Sequence, residues 1–238
     1  MPSILRILLI IALLTGVACS SKAQTTLLQT DLSLKYLVHL PLAASATPPV
    51  IILLHGYGSD EKDLFELRKS FPARYLVFSV RAPYAAGLQG YQWFQPGKSD
   101  GNSPEVENSS KLILKFIKEV TRKYNADKNQ VYLIGFSQGA MMSCVAGLTS
   151  PETIKGIAVL SGRLFPALRD KLKLSPALKQ LKIFISHGTS DNRIPFTEGK
   201  SSAGSLAKLG LKPDFHEYNG MGHSINEQVM LDLVKWLP

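Results

Sequence analysis

Two rhythms of apolar residues alternate along this chain. One is the short segment of strand length, mostly apolar: KYLVHLP at 35–41, VIILL at 50–54, Tyr75–Val80, Gln130–Ile134, Ile154–Leu160, Lys182–Ser186 and Lys212–Tyr218 read as strands. VIILL is unbroken and rich in β-branched residues, the mark of a strand buried on both faces. The other rhythm repeats every three or four positions, as on one face of a helix. It is seen in EKDLFELRKSF at 61–71, in Val106–Tyr124, in Phe196–Leu209 and in Glu227–Leu237. In Val106–Tyr124 the apolar positions include Val106, Ile113, Phe116, Ile117 and Val120. Ala140–Gly147 is mostly small and apolar, as a helix pressed closely on a sheet would be. Strand alternating with helix predicts a mostly parallel central sheet with helices on both faces, an α/β architecture. Ligands of such sheets bind beyond the carboxyl ends of the strands.

Between these elements lie a Pro-rich turn at 43–49 and a loop from Arg81 to Pro104 rich in Gly, Pro and aromatic residues. The stretch between Leu160 and Lys182 is too short to hold a large cap domain. No repeat or low-complexity segment interrupts the pattern, so residues 24–238 read as a single domain.

Residues 1–23 follow neither rhythm. A short segment with one positive side chain, Met1–Arg6, precedes the apolar run ILLIIALL at 7–14 and the small residues of TGVACSSKAQ. That is the layout of a signal peptide, and the run is shorter than the roughly 20 apolar residues of a membrane span. Two ends for it are open. Gly16-Val17-Ala18-Cys19 resembles a bacterial lipoprotein signal, cleaved before a lipid-bearing Cys19. Ser21-Lys22-Ala23 resembles the small-x-Ala end of an ordinary signal, with the mature chain starting at Gln24. Either implies export, to the periplasm, the medium or a membrane-anchored state.

Charge and cysteine content narrow the partners. The formal net charge is +9, but Lys and Arg are scattered through FELRKSF, LKFIKEVTRKY and LRDKLKL among apolar residues at helical spacing. They read as solvated helix faces, and no nucleic-acid motif accompanies them. Of the two cysteines, Cys19 lies in the leader, so Cys144 has no disulfide partner and reads as a buried small hydrophobe.

The candidate chemistry lies just after strands. YLIGFSQGAMMS at 132–143 places Ser137 between Gly135 and Gly139, at the junction of a strand and a helix-like run. The spacing G-x-S-x-G is weak by itself in a chain with 18 glycines. Its position is what a nucleophile elbow requires. There the glycines relieve crowding and the new helix aims its N–H groups at a developing anion. A serine hydroxyl needs a base, and the base an orienting acid, in the chain order Ser, Asp or Glu, His. His187, His216 and His223 follow Ser137. His216 lies inside a strand, and His187 ends one too early to leave room for an acid. His223, in the Gly-rich YNGMGHSIN, sits on a loop at the correct sheet edge. Asp191 in HGTSDNRIP is the matching acid; Asp170 reads as solvated, and Asp214 and Glu198 open a strand and a helix. The oxyanion donors expected are the backbone N–H groups of Gln138 and of Tyr57 in LLHGYGSDEKDLF, with His55 bracing that loop. Trp93 and Phe94 either line the substrate pocket or pack their loop.

LLHGYGSDEKDLF, RAPY…GYQWF, LIGFSQGAMMS, LSG, HGTSDNRIP and GMGHSI, in this order, resemble the phospholipase/carboxylesterase family of α/β-hydrolases, which includes the acyl-protein thioesterases. The likeness runs from about residue 34 to the C-terminus. It implies the α/β-hydrolase fold, a triad of Ser137, Asp191 and His223, and oxyanion donors at Tyr57 and Gln138. Two features depart from it. Gln95 stands where members often carry an acid after the Trp-aromatic pair, and the leader is foreign to the cytosolic members.

The function expected is a serine carboxylesterase acting on short- to medium-chain esters, with lysophospholipids and thioesters within its range. An esterase of acetyl or feruloyl groups on carbohydrate, and a serine peptidase of the same fold, are the alternatives. A non-catalytic binding protein would be expected to show a damaged triad. The partner expected is a small-molecule ester, with no metal, cofactor or nucleic acid. A membrane enters only through lipid at Cys19, and the oligomeric state is open.

Overall fold

A computed structural model describes residues 27–43, 45–88, 90–97 and 100–238; the leader reading of residues 1–23, Cys19 included, lies outside the described residues. Seven strands form one sheet: β1 (Tyr36–His39), β2 (Val50–Leu54), β3 (Leu76–Val80), β6 (Val131–Phe136), β7 (Gly156–Leu160), β8 (Lys182–Gly188) and β9 (Pro213–Tyr218). They lie in the order β1-β3-β2-β6-β7-β8-β9. β1 pairs antiparallel with β3, and every other pairing is parallel. β2 and β6 are central, and Ile51, Ile52, Leu53 and Leu54 have no exposed surface. This is the doubly covered environment that a run without polar alternation requires.

The helices are α1 (Pro104–Lys123), α2 (Gln138–Thr149), α3 (Pro166–Lys171), α4 (Pro176–Gln180), α5 (Phe196–Lys208) and α6 (Glu227–Trp236). α1, α2 and α5 cover one face, where Phe116, Ile117, Val120, Met142 and Leu206 meet Val50, Ile52 and Leu133. α6 and a 3-10 turn at Leu64–Ser70 cover the other, where Leu64, Phe71, Val229 and Leu233 meet Ile51, Leu53 and Ile134. Alternate residues of each strand thus feed opposite layers, as the pleat demands.

Several boundaries differ from the reading by periodicity. The helix expected from Val106 begins two residues earlier: Ser103 caps it, accepting from the Val106 N–H, and Pro104 fills the first helical position, where its missing N–H costs nothing. The segment 61–71 is a 3-10 turn rather than an α-helix; Asp63 provides no side-chain cap, and the seven residues are too few to stabilise α geometry alone. The loop from Arg81 to Pro104 contains a small antiparallel pair, β4 (Tyr84–Ala85) with β5 (Tyr91–Gln92). Only the short helices α3 and α4 occupy the span after β7, so no large cap covers the strand ends.

Candidate active site

Ser137 sits where β6 ends and α2 begins, at φ 54° and ψ −115°. This is a left-handed conformation that an L residue holds only where its surroundings enforce it. The two glycines are required by close approach. A Cβ on Gly135 would come within 2.2 Å of the Gly139 carbonyl oxygen, and one on Gly139 within 2.0 Å of the Leu54 carbonyl oxygen. Neither site can accept any side chain without displacing backbone. The Ser137 N–H is tied to the Leu160 carbonyl at 2.9 Å, which fixes the turn to β7.

His223 arrives on the loop between β9 and α6. That loop is stitched to the one after β8: Ser190 N–H donates to Met221 O at 3.0 Å, and Gly220 N–H to Thr189 Oγ1 at 2.9 Å. The Phe136 ring lies 4.9 Å from the imidazole, centroid to centroid, and limits its rotation. Asp191 is held from beneath, its Oδ1 accepting from the N–H groups of Arg193 (2.9 Å) and Ile194 (3.0 Å). Its Oδ2 lies 2.8 Å from His223 Nδ1, and His223 Nε2 lies 2.9 Å from Ser137 Oγ.

Burial pushes the Asp191 carboxyl up, but hydrogen bonds from His223 and from the Ile194 and Arg193 N–H groups outweigh it and hold the pKa below the ordinary 3.8. A carboxylate only accepts, so His223 Nδ1 must carry the hydrogen, and in the neutral ring Nε2 faces the serine with its lone pair. Such an arrangement can draw a proton from Ser137 as its oxygen attacks an electrophile.

The cavity beside Ser137 has a volume of about 470 Å³. Tyr57 and Gln138 border it together with Ser137, so both proposed oxyanion positions adjoin the serine. The Tyr57 N–H engages no acceptor among the described residues. Gln138 opens α2, where the first N–H groups lack intrahelical acceptors.

Phe94 lines this cavity, but Trp93 does not. Trp93 is wholly buried, with its indole N–H donating to the His55 carbonyl at 2.9 Å. The pocket role considered for Trp93 is therefore corrected: a buried indole must satisfy its N–H, and the carbonyl that does so lies behind the pocket wall.

Sequence reasoning missed what holds these walls. The Gln138 side chain accepts from Trp93 N–H at 2.7 Å and donates to Phe94 O at 2.7 Å, so one residue clamps the pocket strip to the serine turn. The loop carrying Tyr57 is anchored by Glu61, fully buried, which receives two hydrogen bonds from Arg81, at 2.6 and 2.7 Å. Burial pushes the Glu61 carboxyl up, yet the Arg81 guanidinium prevails and holds its pKa below the ordinary 4.5. Gly58 N–H donates to Tyr91 O at 2.9 Å, and Tyr91 N–H to Ser59 O at 2.7 Å, pinning the same loop to β5. The signal available was the acid in LLHGYGSDE and the arginine ending the strand Tyr75–Val80, two charges flanking apolar runs.

The other candidates fall away from the serine. His55 braces its loop: Nδ1–H donates to Gly56 O at 2.7 Å and Nε2 accepts from Ala82 N–H at 3.1 Å. Burial moves its pKa down, so the ring stays neutral. His216 sits in β9 beside Asp214, with 3.0 Å between Nε2 and Oδ1. Asp170 is exposed on α3, and Glu198 lies in the first turn of α5. The Cys144 thiol is buried and pushed up to about 12, which leaves it protonated and inert at neutral pH.

A strained serine on a strand-to-helix turn, backed by a histidine and an acid from the ends of later parallel strands, defines the α/β-hydrolase class. The sequence profile of the phospholipase/carboxylesterase family matches residues 42–238, and the chain belongs to that family. An acyl-protein thioesterase 1 of Gibberella zeae is 39% identical over 202 residues, which cover 76% of this chain and 86% of the relative. A probable carboxylesterase of Oryza sativa subsp. japonica is 28% identical over 84% of this chain and 82% of its own length. Among solved structures, esterase PE8 superposes with a TM-score of 0.73 at 28% identity, covering 86% of this chain and 97% of that one. These relatives support a hydrolase acting on ester bonds.

Proposed function

We propose that this chain is a serine carboxylesterase that hydrolyses short- to medium-chain carboxylic esters through an acyl-enzyme. The observation that carries the reading is the continuous contact from Asp191 through His223 to Ser137, at 2.8 and 2.9 Å. In the first step the Ser137 oxygen attacks the ester carbonyl while His223 Nε2 takes its proton. The carbonyl oxygen becomes an oxyanion, stabilised by the Tyr57 and Gln138 N–H groups. Collapse breaks the bond to the alcohol, which leaves with the proton from Nε2. Water then attacks the acyl-serine, His223 takes a proton from it and returns it to the Ser137 oxygen, and the carboxylic acid departs. Throughout, the Asp191 carboxylate stabilises the imidazolium and fixes its tautomer.

An uncovered cavity supports acceptance of varied esters, with Phe94 against one side of the acyl or alcohol group. Kinetics on p-nitrophenyl esters of increasing chain length, a lysophospholipid, a thioester, acetylated or feruloylated sugars and a peptide amide test the reading. Turnover of simple esters that disappears in Ser137→Ala supports it. Turnover confined to the sugar esters or to the amide replaces it by one of those activities.

Export completes the proposal. The apolar run 7–14 and the small residues after it support a cleaved leader. Mass spectrometry of the mature N-terminus, with Cys19→Ala beside it, separates lipidation at Cys19 from cleavage after Ala23. An intact Met1 in the mature protein would refute both.

A further inference from the structure

The cavity beside Ser137 has a charge asymmetry. Among the described residues, two guanidinium side chains, Arg163 and Arg193, line it, and no acidic residue does. Both are rooted in rigid backbone. The Arg193 N–H is bound to Asp191 Oδ1 at 2.9 Å, and Arg163 stands between the buried Gly162 and Leu164, whose N–H donates to Ser202 Oγ at 2.8 Å. Neither charge is held by a close, hydrogen-bonded carboxylate among the described residues. Arg193 is exposed and has no carboxylate partner among the described residues. Arg163 lies 3.8 Å from Glu198, a contact with no hydrogen bond, between side chains 30% and 44% exposed. Its guanidinium also lies 5.8 Å from the centre of the Phe165 ring, a contact that occupies none of its N–H donors. The remaining cavity wall is neutral and largely apolar, with Phe94, Met141, Phe165 and Ile194 on it.

Resting on the esterase reading, we propose that the preferred substrate carries an anionic group, a carboxylate or a phosphate, bound by Arg163 and Arg193 while its ester carbonyl reaches Ser137. Guanidinium forks match the oxygens of carboxylate and phosphate and leave these anions little to gain elsewhere in the cavity. The apolar wall takes the carbon chain between the anion and the ester. A cleft of one sign also raises the local concentration of the oppositely charged ligand, an effect that added salt weakens. The anion comes to lie toward the loops that follow β7 and β8, which carry Arg163 and Arg193.

Two matched pairs of substrates test this and separate the two anions. The mono-p-nitrophenyl ester of adipic acid is compared with p-nitrophenyl hexanoate, and a monoacylglycerol phosphate with the monoacylglycerol of the same chain. At low salt at least one anionic member should show a kcat/KM roughly tenfold above its neutral partner, the size expected of one charge-assisted hydrogen bond in a partly open site. The pair that shows the preference identifies the anion. In the double variant Arg163→Gln, Arg193→Gln the ratio should fall to near unity, and because it is a ratio it does not depend on how much protein folds. Equal rates in both pairs, or a preference that survives the double variant, overturns the proposal. Calorimetry on Ser137→Ala gives a readout without turnover. Tighter binding of the anionic ester with no hydrolysis by the wild type would refute the esterase reading alone. Hydrolysis without selective binding would refute the anion reading alone.

Discussion

Strands β2 and β8 both run into a His-Gly pair, His55-Gly56 and His187-Gly188, and both histidines are wholly buried. Each pair opens a loop that carries an acid a few residues on, Glu61 in one and Asp191 in the other. The surroundings separate them. β3 offers Arg81 to Glu61, and the acid spends both oxygens on a guanidinium. The loop after β9 offers His223 to Asp191, and the acid keeps one oxygen for an imidazole that faces Ser137. The histidines differ in the same sense. Both nitrogens of His55 hold hydrogen bonds, whereas His187 Nε2 lies 2.8 Å from Ile194 O and 3.4 Å from Asp191 Oδ2, and its Nδ1 is without a partner among the described residues. A His-Gly pair followed by an acid is therefore a way of building a tight loop at a strand end. What the neighbouring strand presents to the acid decides whether the loop is a brace or part of the chemistry.

The largest expected effect breaks the comparison at Asp191. Asp191→Asn can still accept the Arg193 and Ile194 N–H bonds, so the loop survives, but the charge that fixes the His223 tautomer is gone. Its kcat/KM should fall by roughly 10³- to 10⁴-fold. A loss below tenfold would move the acid role elsewhere. Glu61→Gln should do the reverse and act chiefly on stability, because it strands the Arg81 charge in a nearly closed site. Urea denaturation should show a loss of about 3 kcal/mol. A loss under about 1 kcal/mol would mean that the pair behaves like a surface contact.

The histidines give a smaller contrast. His55→Ala leaves the buried Ala82 N–H without a partner, while Gly56 O keeps the Ser59 N–H at 3.4 Å; His187→Ala frees only the half-buried Ile194 carbonyl, and an orphaned N–H is the costlier loss. Denaturation should show His55→Ala to be the more damaging by about 1 kcal/mol; equal losses would erase the distinction between the two rings. The smallest effect is in acid. Asp191 and Glu61 have folded-state pKa values below their ordinary 3.8 and 4.5. The stability they contribute is complete above those ordinary values and is lost as pH falls through the lower folded ones. Stability curves of the wild type and Asp191→Asn should therefore approach each other on acidification. Curves that stay parallel would show that Asp191 gains nothing from its surroundings.

The positions of the strands along the chain were readable because the central ones, such as β2 and β7, are runs without charge or polar alternation, and the long helices because α1, α5 and α6 each turn one apolar face inward. Ser137, Asp191 and His223 could be located because each follows a strand, and parallel strands bring their carboxyl ends together whatever the loop lengths. The features that escaped depend on partners far along the chain. Trp93 and Phe94 look alike in sequence, but only Trp93 has an N–H to satisfy, and its acceptor is 38 residues away. The Gln138 clamp spans 45 residues to Trp93 and the Glu61–Arg81 pair spans 20, distances over which no periodicity carries information. The 3-10 turn and the β4–β5 pair were missed for the opposite reason, since elements of a few residues are set by their neighbours rather than by a pattern of their own.

The central claim is that Ser137 is the nucleophile, and covalent trapping tests it most directly. The protein is treated with a fluorophosphonate, and the modified residue is mapped by peptide mass spectrometry. The expected result is one adduct, on Ser137, absent in Ser137→Ala and formed far more slowly in His223→Ala. An adduct on another serine, or labelling of Ser137→Ala at the wild-type rate, would contradict it.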